Sequence, residues 1–188
     1  MFGESIAAYL PDNHPFSEQL QQFPVGYEKW VYATCFPSTT YQGDVFTNLP
    51  FVAVDDEGEV VRVETSGMII SNTCDAQPGQ GDSLLVAPVW YLSEYRAQHG
   101  LEGQALENHL QSLMENKLSQ MLVLPRGADI PDCVVDFGRL SSISLEHFQR
   151  KKDKARIASL SQVGHYFLLM KLAYHFTRPE APDAKRVS

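Results

Sequence analysis

Five small polar residues in a row, Ser71-Asn72-Thr73-Cys74-Asp75, close the aliphatic run Met68 to Ile70 and set a thiol beside a carboxylate. Cys74 is a nucleophile if a nearby base lowers its pKa, and Asp75 can orient such a base or bind a cation. A histidine is the usual base. His14, His99, His109, His147, His165 and His175 are all remote in sequence, so spacing nominates none of them. The second reading of the pentad is conformational: Asn and Asp bond their own backbone in turns, and a half-buried cysteine packs as a small hydrophobe. On that reading, which the residue types favour, Ser71, Asn72, Thr73, Cys74 and Asp75 cap a strand and shape a recognition rim.

Two further groupings can do chemistry. An acid–base ribonuclease must activate a 2′-hydroxyl, protonate a leaving group and hold a cation near the phosphate. Asp75 or Glu64 as base and Arg62 as cation supply those parts, although Arg62 alternates with Val61 and Val63 and so falls on a solvated strand face. The segment Gln149 to Arg156 gathers Arg150, Lys151, Lys152, Lys154 and Arg156, and such a run can meet RNA or DNA phosphates with a steep salt dependence. Its competing reading is a solvated connection, or a counter-charge for the acidic bulk of the same chain. His165 and His175 stand ten residues apart, whereas helical metal pairs sit at i, i+3 or i, i+4, so no metal site is expected. Gln77 to Asp82 lacks the lysine and helix start of a phosphate loop and reads as a turn, and no cofactor is expected.

The elements that would position these groups are mostly short strands. Strand-like runs cover Lys29–Cys35, Asp44–Leu49, Phe51–Asp55, Val60–Glu64, Met68–Ser71 and Ser83–Val89, with Asp55-Asp56-Glu57-Gly58-Glu59 as a hairpin turn. Between Leu92 and Gln120, the residues Leu106, Leu110, Leu113, Met114 and Leu118 recur at helical steps, starting after Gly100 and Gly103. Strands return at Met121–Leu124, Cys133–Phe137 and Leu140–Ile143. A last helix spans about 161–177, with Ser161 as N-cap and Pro179 as its stop; its aromatics, Tyr166, Phe167, Tyr174 and Phe176, read as core. The first 25 residues, with three prolines and one helical candidate at Phe16–Gln22, read as an arm on a single domain, 26–188. Many short strands with helical additions predict a mainly β fold: a small, strongly bent antiparallel barrel with a helical insertion about 92–120 and a C-terminal helix.

Bulk properties narrow the setting. At 44% apolar and 20% charged, 188 residues are enough for one soluble globular core. No apolar run approaches the roughly 20 residues that cross a bilayer, so no membrane partner is expected. The N-terminus lacks the pattern of a signal peptide, and three scattered cysteines fit neither a disulfide framework nor a zinc site, which implies a reducing, cytoplasmic setting. The net charge of −8 is unevenly spread: residues 1–138 carry 5 Lys/Arg and 19 Asp/Glu, net −14, while residues 139–188 carry 10 and 4, net +6. The halves therefore either pair with each other or present a basic end to a polyanion.

The order of these pieces resembles the MazF/PemK family of toxin endoribonucleases. Gln42-Gly43-Asp44-Val45-Phe46 is similar to the family's opening strand, Gly67 to Asn72 to its central aliphatic strand, and Leu84 to Val89 to the following strand with its Ala-Pro pair. Cys133 to Ile143 is similar to the late strand, and Ile157 to Ser161 leads into the last helix in the same way. The resemblance covers about residues 42–91 and 121–176. It implies an SH3-like barrel, a bacterial toxin–antitoxin or phage-defence type system, an RNA, DNA or protein partner and a possible homodimer. The family's catalytic Arg-Pro and Thr do not carry over, because Thr65-Ser66-Gly67 and Val89-Trp90-Tyr91 stand in their places. The resulting expectation is a non-catalytic binding component, with an endoribonuclease of relocated acid–base site as the alternative.

Overall fold

The computed structural model describes residues 28–35, 38–98 and 100–177. The expected N-terminal arm, the Phe16–Gln22 helix, His14, His99 and Pro179 lie outside them. Among the described residues, seven strands and four α-helices follow one another as β1 (Val45–Val54), β2 (Val60–Ile69), β3 (Ser83–Tyr91), α1 (Leu92–Gln98), α2 (Gly103–Met114), β4 (Met121–Leu124), β5 (Cys133–Asp136), β6 (Ser141–Ser144), α3 (Leu145–Arg150), β7 (Arg156–Ala158) and α4 (Gln162–Phe176).

All seven strands join one antiparallel sheet in the order β4-β5-β3-β2-β1-β7, with β6 also on β3. β3 holds the assembly together. Its middle, Val86 to Val89, pairs with β2, while its end pairs with β5 and its start with β6. The expected barrel is not a closed one. β7 is three residues long and turns at once towards α4, so no ladder joins it to β4 at the far end.

From β3 to β5 the strands read as almost unbroken aliphatic runs because both faces of the sheet are covered there, whereas the outer halves of β1 and β2 are exposed. Neighbouring residues of one strand serve opposite cores. Val45, Met68, Ala87 and Val135 face the layer holding Phe167, Leu168 and Leu172 of α4. Phe46, Ile69 and Val86 face the layer holding Leu145 and Phe148 of α3. Val123 and Val134 meet Leu113 of α2, so the helical insertion covers the β4–β5 end. Helix α4 lies tight on the chain at Val31: a Cβ on Gly164 would come within 2.3 Å of the Val31 carbonyl oxygen.

Several elements differ from the sequence expectation. The runs Asp44–Leu49 and Phe51–Asp55 form one strand, bent at Asn48, which takes φ +55° while its side-chain Nδ2 donates to the Asp153 carbonyl (2.9 Å). Val60–Glu64 and Met68–Ser71 also merge, because Thr65 and Ser66 are polar but keep the strand register. Lys29–Cys35 is not a strand. It begins as a 3-10 turn, Glu28–Trp30, and gives one isolated bridge, Tyr32 to Leu160. The insertion is two helices, with a break at Gly100, φ +73°.

Asp44 ties the two ends of the fold together. It is fully buried just before β1, and its carboxylate accepts from the Tyr41 amide (2.8 Å) and the Ser159 hydroxyl (2.5 Å), with Arg156 Nε 3.3 Å away. No helix among the described residues is long and apolar enough to cross a membrane.

Candidate functional site

The pentad after β2 is built from its own hydrogen bonds. Ser71 Oγ accepts from the Leu85 amide (2.8 Å) and Asn72 Oδ1 accepts from the Cys74 amide (3.1 Å), closing an Asx turn. Thr73 Oγ1 accepts from the Gln42 amide (3.1 Å), and the Thr73 carbonyl accepts from Gln77 Nε2 (2.8 Å). Ala76 then tucks into the core under α3. Cys74 and Asp75 are exposed, and neither side chain has a partner among the described residues. Among the described residues no histidine is brought to bond Cys74. Cys133 is buried instead, and burial pushes its thiol up to about 12, so it is inert.

The other sequence candidates are mostly committed within the chain. Arg62 sits exposed on β2, opposite Val52. Glu64 is bound by Lys151 Nζ (3.0 Å), which diverts it from acting as a base. In the basic segment, Arg150 pairs with Glu146, Lys151 also reaches Asp153 (3.4 Å), Lys154 lies 4.8 Å over the Phe148 ring, and Arg156 holds Asp44. Lys152 alone of the five has no side-chain partner among the described residues. The charge split along the chain is thus partly internal neutralisation, because Lys151 and Arg156 answer acidic residues of the first half.

A cleft that the sequence did not announce lies at the other end of β3. It measures about 410 Å³ and is walled by Trp90 of β3, Tyr95 of α1, Gln120, and Asp136 and Arg139 of the turn after β5. The turn follows from three local choices. Asp136 ends β5 and its Oδ1 accepts from the Gly138 amide (2.9 Å), which caps the 3-10 turn Phe137–Arg139. Phe137 is buried and its amide donates to the Gln120 carbonyl (2.8 Å), fixing the turn to the start of β4. Arg139 Nε then lies 3.5 Å from Asp136 Oδ2, with its guanidinium largely exposed.

The electrostatics set this cleft apart. Burial raises the Asp136 pKa against the opposing pull of the Gly138 amide, Arg139 and His175, so its carboxyl takes a proton more readily than a free aspartate. Tyr95 is also raised by burial, and its hydroxyl is 2.8 Å from His109 Nε2. Behind the turn, Lys171 of α4 is fully buried with Nζ donating to the Asn116 carbonyl (2.8 Å), and burial brings its pKa down to about 7. His175 is lowered by burial and by Lys171, and its Nδ1 is buried with no hydrogen-bond partner among the described residues. An aromatic wall, a protonatable carboxyl, an amide and a guanidinium can together hold a planar, hydrogen-bonding ligand that carries an anion.

The sequence signal for this site was Asp136-x-Gly138-Arg139, which begins on the last residue of a four-residue buried strand. Such a strand end leaves charged groups at a sheet rim. Among the described residues no cluster of three or more His, Cys, Asp or Glu is arranged to hold a metal ion. No protein-family model matches the chain, and no curated protein matches it.

Proposed function

We propose that this chain is a divergent MazF/PemK-like protein of the SH3-like barrel type that binds single-stranded nucleic acid without cutting it. It acts as the binding component of a bacterial toxin–antitoxin or phage-defence type system in the cytoplasm. Strand curvature supports the barrel type: the Val52 amide in the outer half of β1 donates to Ser141 Oγ of β6 (3.4 Å), so the sheet curls towards itself across β3. The pairing of Ser66 with Val89 sets the two stretches that stand in place of the family's Arg-Pro and Thr, Thr65-Ser66-Gly67 and Val89-Trp90-Tyr91, on adjacent strands.

The observation that carries the reading is Trp90. Where the resemblance implies a catalytic hydroxyl, this chain places an indole at the mouth of a cleft containing Arg139 and Asp136. Trp90 supplies a stacking face for a base, Gln120 and Asp136 pair with its edge, and Arg139 takes a phosphate. The test is titration of a short labelled single-stranded RNA, with the RNA recovered afterwards on a gel. The RNA is expected to bind and return intact. Trp90→Ala is expected to weaken binding about tenfold or more, as the loss of ~1–3 kcal/mol of stacking implies. Unchanged affinity in both Trp90→Ala and Arg139→Gln would sink the reading.

Asp136 favours the alternative, an endoribonuclease with a relocated acid–base site, because a carboxyl of raised pKa beside a guanidinium is what such chemistry needs. Cleavage by the wild type that disappears in Asp136→Asn would replace binding with that activity.

A further inference from the structure

A second cleft, of about 370 Å³, opens where the first turn of α4 meets Tyr41-Gln42 and the segment Ala33–Cys35. A histidine is built into its wall. Gln42 donates through Nε2 to the Ile70 carbonyl (2.6 Å), which turns its amide oxygen, Oε1, towards His165 Nε2 at 3.0 Å. An amide oxygen only accepts, so Nε2 carries the imidazole hydrogen and Nδ1 keeps a bare lone pair. Nδ1 has no hydrogen-bond partner among the described residues. Burial lowers the His165 pKa and so holds the ring neutral, the form in which it can take a proton.

Cys35 lines the same cleft, and its thiol is exposed. A thiol, a neutral imidazole with one nitrogen bare, and an amide oxygen on the other nitrogen are the parts of a cysteine acyl-transfer site. The third part matters most, because Gln42 aims the ring before any substrate arrives. Gln42 is itself gripped at its backbone, where its amide donates to Thr73 Oγ1 (3.1 Å). That bond leaves the Thr73 hydroxyl hydrogen to meet an oxyanion in the cleft. No Lys, Arg, Asp or Glu is among the described residues lining the cleft, which selects an uncharged substrate. Cys74, the other exposed thiol, does not line it.

We infer that Cys35, with His165 as its base and Gln42 positioning that base, forms a thiol site that hydrolyses small neutral acyl esters. The hydrogen bond from sulfur to His165 Nδ1 closes as the ester fills the cleft. Cys35 Sγ then attacks the acyl carbon while its proton passes to Nδ1. The carbon–oxygen bond to the leaving alcohol breaks, the alcohol takes the proton from Nδ1, and a thioester remains on Cys35. Water next gives a proton to Nδ1 and attacks the thioester. The carbon–sulfur bond breaks, the carboxylic acid leaves, and the sulfur recovers its proton from Nδ1. This site is separate from the Trp90 cleft and stands whether or not that cleft binds RNA.

The full chain mixed with p-nitrophenyl acetate tests it, with nitrophenolate release followed by absorbance and the acetylated cysteine located by mass spectrometry of peptides. The wild type is expected to turn the ester over and to carry the trapped acetyl group on Cys35 at least tenfold more often than on Cys74. That comparison lies within one molecule and needs no variant. Its acylation rate should already be level with pH near 7, because the base is neutral there. Cys35→Ser should abolish acetyl trapping, and His165→Gln should slow acylation at least tenfold and leave a rate that keeps rising with pH, as an unassisted thiol's does. Gln42→Leu should give the same altered pH profile with an unchanged far-ultraviolet circular dichroism spectrum. Equal acetylation of Cys35 and Cys74 overturns the inference. So does a pH profile indifferent to His165→Gln, or a wild type that is acetylated and never releases acetate.

Discussion

The turn after β2 and the turn after β5 both end a buried strand on short polar residues, and they use those residues in opposite ways. From Ser71 to Thr73, side-chain oxygens accept amides of the turn itself or of its neighbours, and little remains to meet a ligand. From Asp136 to Arg139, one carboxylate oxygen caps the turn, while the guanidinium and the rest of the carboxyl are left facing a cleft with an aromatic wall. A polar run is therefore not a site by composition. What matters is how many of its hydrogen-bonding atoms the fold has already consumed, and whether a cavity lies before the remainder.

Substitutions in the two turns should separate these roles, and the largest effect belongs to the cleft side. Its buried amine, Lys171, should give the protein a steep dependence of stability on pH. The folded pKa of about 7 lies below the usual 10.5, so between those values the unfolded chain binds a proton that the fold does not. Stability should accordingly rise with pH across that window, and denaturant melts of Lys171→Met should lose the slope. The same variant removes the Lys171 charge that helps to lower the His175 pKa. A slope that survives would mean that Lys171 stays charged in the fold.

Smaller effects are expected after β2. Ser71→Ala should cost about 1 kcal/mol in urea melts, the usual worth of a lost hydrogen bond, and leave RNA affinity as it was. Loss of affinity without loss of stability would reverse the comparison and make the pentad the site. Smallest of all, Asp75→Ala should change neither quantity, and Cys74 should react with iodoacetamide no faster than Cys35, the other exposed thiol. Faster labelling of Cys74 would revive a thiol chemistry.

What could be read in advance follows the range of the interactions involved. The β1–β2 hairpin was legible because Asp55 to Glu59 closes on itself, and α4 because Ser161 and its apolar spacing lie within one helix. Helix α3 and strand β7 were missed: they are six and three residues long, and β7 hides behind a run of cations. Asn48-Leu49-Pro50 looked like a break and is a bend, since Leu49 is buried and the strand resumes its pairing there. The cleft was the least legible part. Trp90, Tyr95, Gln120 and Arg139 meet only because β5 pairs with both β3 and β4, and nothing in their spacing encodes that.

Asp44 has a consequence for synthesis. Its closest side-chain partner, Ser159, lies 115 positions later in the chain, and Arg156 arrives only just before it. While the first hairpin is leaving the ribosome, sealing that carboxylate from water would cost several kcal/mol with no cation to answer it. The early strands must stay ajar until the last quarter of the polypeptide has emerged, and then shut together with it. Nascent chains halted ahead of Arg156 should remain open to proteases and chaperones, and those released beyond Ser159 should not.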